Sequence, residues 1–254
     1  MNPHPNIVQI IGVPGVGKSS IFKELCNDWN SKQNWTHLEA LIDQRKSRAE
    51  RVTKRSINLL KRLLNIKNHQ SFPTNKGIQF AHDNMELSNF FWKHLSNTEF
   101  EANADPGQRF RSAFFLYRDF CRYQVIQDHA NGIPCVMDEG FLQKSFLVHS
   151  EKRIIDAVLD DYLSLIQLPK AMIWIHVKPI DIIIERIKNR SKRIASQIDL
   201  EDEKLKIETI KWRKLIKRLI KKTELKGVKI YKIDGRNSIK YNVEKVKTIL
   251  SDLS

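Results

Sequence analysis

A glycine-rich segment at residues 12–19 is the clearest pattern in this sequence. Its residues read Gly-Val-Pro-Gly-Val-Gly-Lys-Ser and fit the pattern Gly-x-x-x-x-Gly-Lys-[Ser/Thr] at each specified position. The apolar run at 7–11 predicts a buried strand before them, and residues 19–29 predict a helix after them. In that context the glycines let backbone N–H groups surround phosphate oxygens at the positive end of a helix. The sequence therefore predicts a phosphate-binding loop.

Each position in this loop has an expected role toward a nucleoside triphosphate and Mg²⁺. Lys18 is expected to reach the outer phosphates, and the Ser19 hydroxyl is expected to bind Mg²⁺. A chance glycine-rich turn is the alternative, but the fixed residue types and the flanking strand and helix favour a phosphate site. The expected nucleotide-binding residues are Gly12, Pro14, Gly15, Val16, Gly17, Lys18, Ser19 and Ser20.

Composition places the chain among globular proteins with a substantial core. Its 254 residues are 41% hydrophobic, which suits one large α/β domain. No apolar run approaches the roughly 18 residues that span a bilayer, and the N-terminus has no secretory pattern. The three cysteines are unclustered and predict reduced thiols without a metal site. We therefore expect a cytoplasmic protein with no membrane partner.

The formal net charge of +15 has two interpretations. It could reflect a polyanionic partner such as nucleic acid. It could instead reflect a lysine-rich surface around a site that holds several phosphates. The excess is spread through helical segments, and no nucleic-acid-binding motif accompanies it, so the second interpretation is favoured.

Apolar runs separated by helical patterns predict the architecture. Strands are predicted at 6–11, 133–137, 172–177 and 228–233, with a weaker signal at 35–39. The alternation predicts an α/β fold, with a mostly parallel five-stranded sheet in a three-layer α/β/α arrangement. We interpret residues 1–254 as one domain.

A helical insertion is predicted at about 41–106, on the side where an acceptor would enter. It comprises a basic helix or helix pair at 41–66, a loop at 69–76 and a helix at 85–95. Further helices are predicted at 108–129, 151–166, 180–193 and 204–222.

Two acidic residues follow the strand predicted at 133–137. An acid at the end of a strand beside a phosphate loop can hold Mg²⁺, and Asp138 fits that place. Glu139 could polarise an attacking water or hydroxyl, or join the metal shell. An ordinary strand end with two solvated acids is the alternative, and the phosphate loop favours the metal role for Asp138.

Three arginines share one face of the helix predicted at 180–193. Arg186, Arg190 and Arg193 lie three or four residues apart. Guanidinium groups from the same chain stabilise the charge on a transferring phosphoryl group. A solvated basic helix is the alternative interpretation. The position between two strands favours the functional one.

At this point the chain resembles the thymidylate kinase and deoxynucleoside kinase branch of the P-loop NTPases. The resemblance covers about residues 6–250 apart from the insertion. It is carried by the phosphate loop, an arginine-bearing helix before Asp138, and Glu185-Arg186 with Arg190 after a strand. The chain departs from the family at Glu139, where thymidylate kinases carry arginine. That departure leaves the acceptor open.

The resemblance implies further roles. ATP would be the donor, with Mg²⁺. Residues of about 190–205 would form a lid, with Arg190 and Arg193 on the phosphates. The loop at 233–237, including Asp234, would lie beside adenine. Acceptor-side arginines on the long helix would be Arg109, Arg111 and Arg118. Proteins of this branch often pair through helices, which leaves both a monomer and a homodimer open.

The function expected from these patterns is transfer of the γ-phosphate of ATP to a small-molecule hydroxyl or phosphate. Two alternatives stay open. The Asp138-Glu139 pair is also typical of ATPase switches and motors, in which the glutamate orients water. The positive charge keeps a polynucleotide 5′-end kinase under consideration.

Overall fold

A parallel five-stranded sheet organises the protein, as seen in a computed structural model that describes residues 6–44, 73–96, 106–148, 156–190 and 201–253. The strand order is β2-β3-β1-β4-β5, and every adjacent pair is parallel. The strands start and end within two residues of the predicted bounds, including the weakly marked second strand. They are β1 Ile7–Ile11, β2 Thr36–His37, β3 Cys135–Met137, β4 Ala171–His176 and β5 Lys229–Asp234.

The central strand is covered on both faces. All five residues of β1 are buried, and successive side chains of a strand point to opposite faces of the sheet. Such a strand has no solvated face, which explains why its sequence is a continuous apolar run. The α/β class and the parallel sheet are therefore confirmed.

Helices join the strands. The described ones are α1 Lys18–Asn27, α2 Leu38–Gln44, α3 Thr74–Asp83, α4 Met85–Ser96, α5 Pro106–His129, α6 Asp156–Leu165, α7 Ile180–Lys188, α8 Asp202–Leu225 and α9 Ile239–Asp252. A 3₁₀ helix, which the sequence patterns did not predict, spans Phe141–Val148. Most of the helix predicted at 41–66 lies outside the described residues.

The predicted loop at 69–76 is wrong at its end. The helix α3 begins at Thr74, directly after Pro73, and continues through Gly77. A Cβ atom at Gly77 would lie 2.7 Å from the Cys121 Sγ and 2.7 Å from the Tyr117 ring, so α3 and α5 pack very closely there. Gly77 is thus a contact point between two helices. The loop prediction rested on Pro73 and Asn75, which lie at the start of α3, where proline is also common.

Aromatic packing attaches the 3₁₀ helix to α5. The Tyr123 and Phe141 ring centroids are 3.9 Å apart, and the Phe141 backbone N–H donates to the Tyr123 hydroxyl. Phe80 of α3 and Phe91 of α4 pack on Phe141 as well. This cluster fixes the segment that directly follows Asp138 and Glu139.

Among the residues that the structure describes, no helix combines the length and apolar character needed to cross a membrane.

Candidate functional site

The loop at 12–19 lies at the carboxyl end of β1, and its glycines meet three different demands. Gly15 and Gly17 have φ values of 89° and 100°, which residues with a Cβ rarely adopt. A Cβ at Gly12 would lie 2.4 Å from the Ile175 carbonyl oxygen, and one at Gly15 would lie 2.9 Å from that of Ile183. A Cβ at Gly17 would meet nothing within 4 Å. The loop is therefore held against β4 and α7 on one side and open at Gly17.

Lys18 folds back across the loop. Its ammonium donates hydrogen bonds to the Gly12 and Val13 carbonyl oxygens, at 2.6 and 3.1 Å, and the residue is only 7% exposed. Burial lowers the pKa of Lys18 to about 8, with Arg190 adding to that effect and Glu139 and Asp138 opposing it. These three charged residues are thus close enough to Lys18 to affect its charge.

This pKa gives a testable pH dependence. Bound phosphate favours the charged lysine, so we expect ATP affinity to be constant below pH 8 and to fall about tenfold per pH unit above it. The sign follows because the free protein loses the Lys18 proton in that range. Calorimetric titration with ATP between pH 6.5 and 9 measures it. Lys18→Arg is the control, since its guanidinium stays charged and should remove the alkaline fall. A flat wild-type profile would contradict the expectation.

Asp138 and Glu139 lie beside the loop because β3 pairs in parallel with β1, with Met137 opposite Gln9. Burial raises the pKa of Asp138, and the neighbouring Glu139 charge raises it further. Burial also acts to raise the pKa of Glu139, but Lys144 and Lys18 outweigh it, so that pKa is lowered. The pKa values of the two acids are therefore shifted in opposite directions. Glu139 is held ionised, whereas ionising Asp138 costs more free energy.

A buried ion-pair cluster beside these acids was missed in the sequence. Asp119 has no exposed side-chain surface and accepts a 3.3 Å hydrogen bond from Arg122. The Lys144 ammonium lies 3.6 Å from Asp119 and 3.6 Å from Glu139. The three-residue spacing of Asp119 and Arg122 on α5 was a usable signal. Nothing in the sequence around Lys144 marks it, because its partners come from other segments.

The helix predicted at 180–193 ends at Lys188, so Arg190 lies beyond α7 and does not share a helix face with Arg186. Arg190 lies near enough to Lys18 to lower its pKa. Arg186 instead donates a 2.9 Å hydrogen bond to the Gly235 carbonyl oxygen, so it joins α7 to the loop after β5. Arg193 and most of the predicted lid lie outside the described residues.

The acceptor-side arginines also differ. Arg118 is charge-coupled to Asp138 and Glu139, and its guanidinium lies over the Phe115 ring at 4.7 Å. Arg109 lies nearer the start of α5 and is half-buried. Arg111 is exposed and donates to the Gly107 carbonyl oxygen within α5. Arg118 is therefore coupled to the Asp138-Glu139 pair.

The loop after β5 contacts the phosphate loop through its backbone. A Cβ at Gly235 would lie 2.4 Å from the Val16 carbonyl oxygen. The neighbouring Asp234 carboxylate accepts hydrogen bonds from the backbone and guanidinium of Arg236, which hold its pKa at about 2. Asp234 is therefore already engaged by Arg236, and the close contact to the loop comes from Gly235.

A cavity of about 340 Å³ adjoins the phosphate loop at the carboxyl end of β4. Val13 and Val16 line it from the loop. The remaining lining carries four cations and no carboxylate, from Lys178, Arg213, Lys217 and Lys232. Its volume lies within the range of small-molecule pockets, and its charge suits an anion.

The described residues contain no group of three or more His, Cys, Asp or Glu side chains that could enclose a metal ion. Mg²⁺ at a nucleotide needs no such group, because phosphates and waters supply most of its oxygen ligands. Ser19 and Asp138 are suitable protein ligands of that kind, one a hydroxyl on the loop and one a carboxylate at the adjacent strand end.

Comparison with known proteins leaves the family unassigned. No protein-family model matches the chain, and no curated protein matches its sequence.

Proposed function

We propose that this protein is an ATP- and Mg²⁺-dependent phosphotransferase with the three-layer architecture of the P-loop NTPases. One observation carries the proposal. Lys18 closes over a glycine loop at the end of β1, within charge range of Asp138, Glu139 and Arg190. Two carboxylates and two cationic side chains converge on a phosphate-binding loop. This matches the requirements of phosphoryl transfer, which depends on positioning and charge stabilisation.

Each residue has a distinct role in the proposed reaction. The backbone N–H groups of residues 14–19 bind the phosphates of ATP, and Lys18 neutralises the outer ones. Ser19 and Asp138 hold Mg²⁺, which when bound offsets charge on the phosphate oxygens. Arg190 stabilises the charge that develops on the transferred group. Glu139 orients the attacking oxygen.

The acceptor enters from the α5 side in this proposal. Arg118 borders the Asp138-Glu139 pair there, and the aromatic cluster of α3, α4 and the 3₁₀ helix closes the region behind it. An acceptor held between α5 and Glu139 would meet the terminal phosphate at Lys18. The acceptor can be a hydroxyl compound or a phosphate compound.

The direct test is ATP consumption measured with and without a panel of acceptors. The panel contains nucleosides, nucleoside monophosphates, sugars, and RNA or DNA 5′ ends. We expect one class to stimulate turnover strongly and to become phosphorylated. Turnover that no acceptor stimulates, with water as the only acceptor, would replace the phosphotransferase with an ATPase switch. The ionised Glu139 beside Lys18 is the observation that favours that second function.

A polynucleotide end kinase is the remaining alternative, favoured by the charge of +15. It predicts binding to oligonucleotides that weakens steeply as salt is raised. A flat salt response would remove it.

Arg186 on α7 and Arg190, just beyond its end, provide a matched pair of variants. We expect Arg190→Ala to lower kcat by about 10²-fold or more while ATP binding changes far less, because its charge acts on the moving phosphoryl group. Arg186→Ala removes the hydrogen bond to Gly235 and should weaken ATP binding and stability instead. Steady-state kinetics, ATP titration and thermal unfolding separate the two. Equal losses in kcat and ATP affinity for Arg190→Ala would make it a ground-state contact.

A further inference from the structure

Lys144 occupies an unusual place for a lysine. Its side chain is 5% exposed, and its ammonium lies 3.6 Å from a carboxylate oxygen of Asp119 and 3.6 Å from one of Glu139. The Asp119 side chain is fully buried, whereas that of Glu139 is 37% exposed. The three residues thus form a chain that leads from the protein interior to the open side of the candidate site.

The inner end of this chain is firmly anchored. Arg122 donates to the second Asp119 oxygen, so that carboxylate keeps a partner independently of Lys144. The Lys144 backbone N–H donates to the Gly140 carbonyl oxygen, and Tyr123 of α5 accepts from the Phe141 backbone. Both the side chain and the backbone of this segment are therefore fixed against α5.

Stability alone is a weak reason for such an arrangement. A buried ion pair often contributes no more than well-packed apolar side chains of similar volume, because both charges lose their water. Lys144 has apolar neighbours, including the Phe115 ring at 5.5 Å, among which methionine could pack. The buried charge of Lys144 therefore points to a role through Glu139, its partially exposed partner.

We propose that Lys144 is a positioning residue that fixes the Glu139 carboxylate beside the phosphate loop by tying it to buried Asp119. The proposal rests on the proposed phosphotransferase function and deepens it. Lys144 itself is set back from the nucleotide, and its effect passes through Glu139. An oriented carboxylate holds the attacking oxygen and the hydrated metal in one geometry, and small misplacements of such groups are costly.

Lys144→Met keeps the volume of the side chain and removes the charge. We expect kcat to fall about 10²-fold while the KM for ATP stays within about threefold, because positioning affects the transition state more than binding. Lys144→Arg should recover at least about tenfold of that loss. The matched control is Lys222→Met, which removes a lysine paired with Asp156 and Asp160 on α6, and kinetics should be unchanged.

A double-variant cycle with Glu139→Gln separates positioning from a structural role. If Lys144 acts through Glu139, adding Lys144→Met to Glu139→Gln should lower kcat no further. The proposal would be overturned if the kcat losses of Lys144→Met and Glu139→Gln multiplied in the double variant. It would also be overturned if Lys144→Arg were as slow as Lys144→Met. Thermal unfolding of all variants checks that the fold is retained.

A binding measurement keeps this test independent of turnover. Thermal stabilisation by ATP is compared with and without Mg²⁺. We expect Lys144→Met to keep the ATP effect and to require several-fold more Mg²⁺ for the same added stabilisation, while the KM for ATP at saturating Mg²⁺ stays unchanged because Ser19 and Asp138 remain. An unchanged Mg²⁺ requirement would overturn the proposal. A wild type without phosphotransferase activity would instead refute the proposed function.

Discussion

Replacing Lys18 with alanine is expected to abolish ATP turnover, lowering it by about 10³-fold or more, while the protein stays folded. The ammonium is the positive charge at the centre of the phosphate loop, and electrostatic groups of this kind commonly supply the largest single part of catalysis. Its loss removes hydrogen bonds only to the Gly12 and Val13 carbonyl oxygens. Burial lowers the pKa of Lys18, which means that the charged ammonium disfavours folding. Removing this charge therefore offsets part of the stability lost with the two hydrogen bonds.

Lys247→Ala is the matched control for Lys18. That lysine pairs with Asp28 and Glu244 near α9, and its removal should leave turnover within about twofold. The assay is ATP consumption with the acceptor that stimulates the wild type, alongside thermal unfolding of both variants. Retained activity in Lys18→Ala would contradict the whole assignment of the site.

Replacing Asp138 with asparagine is expected to separate activity from stability. Turnover should fall by about 10²-fold or more, because a neutral amide holds Mg²⁺ poorly. The unfolding temperature should stay equal or rise. Burial and Glu139 raise the Asp138 pKa in the folded protein, so at neutral pH its charge disfavours folding, and asparagine removes that cost.

The sign can be checked by pH. Because the folded pKa of Asp138 lies above its unfolded value, its unfavourable effect is present at neutral pH and disappears as pH falls through the folded pKa. The stability gain of Asp138→Asn should therefore shrink on acidification. Asp160→Asn on α6, which loses an exposed pair with Lys222, is the control and should keep full turnover. A less stable but active Asp138→Asn would contradict the expectation.

These two residues share a physical signature. Lys18 is buried and Asp138 is partly buried, and in both the pKa shift disfavours the charged form. Charged groups that destabilise the folded protein are typical of functional sites, because ligand binding needs a charge that folding alone would avoid.

Local patterns in the sequence were sufficient for the sheet and the loop. The strands could be predicted because apolar, β-branched runs mark buried parallel strands wherever they occur. Their order could not, since pairing depends on contacts between distant segments. The end of the loop predicted at 69–76 illustrates a failure of local rules, because Pro73 and Asn75 also occur at the start of a helix such as α3.

The candidate site divides in the same way. Gly12, Gly15, Gly17 and Lys18 form one contiguous motif, so the sequence by itself marked the loop, although Gly12 and Gly15 also pack against the distant Ile175 and Ile183. The sequence also placed Asp138 at the end of a strand. Only the tertiary structure joined Asp119, Lys144 and Glu139, which lie on α5, the 3₁₀ helix and the end of β3. It also separated Arg190, near Lys18, from Arg186, which donates to Gly235. The reason is that a motif is set by neighbouring residues, whereas burial and charge partners are set by which distant segments the fold brings into contact.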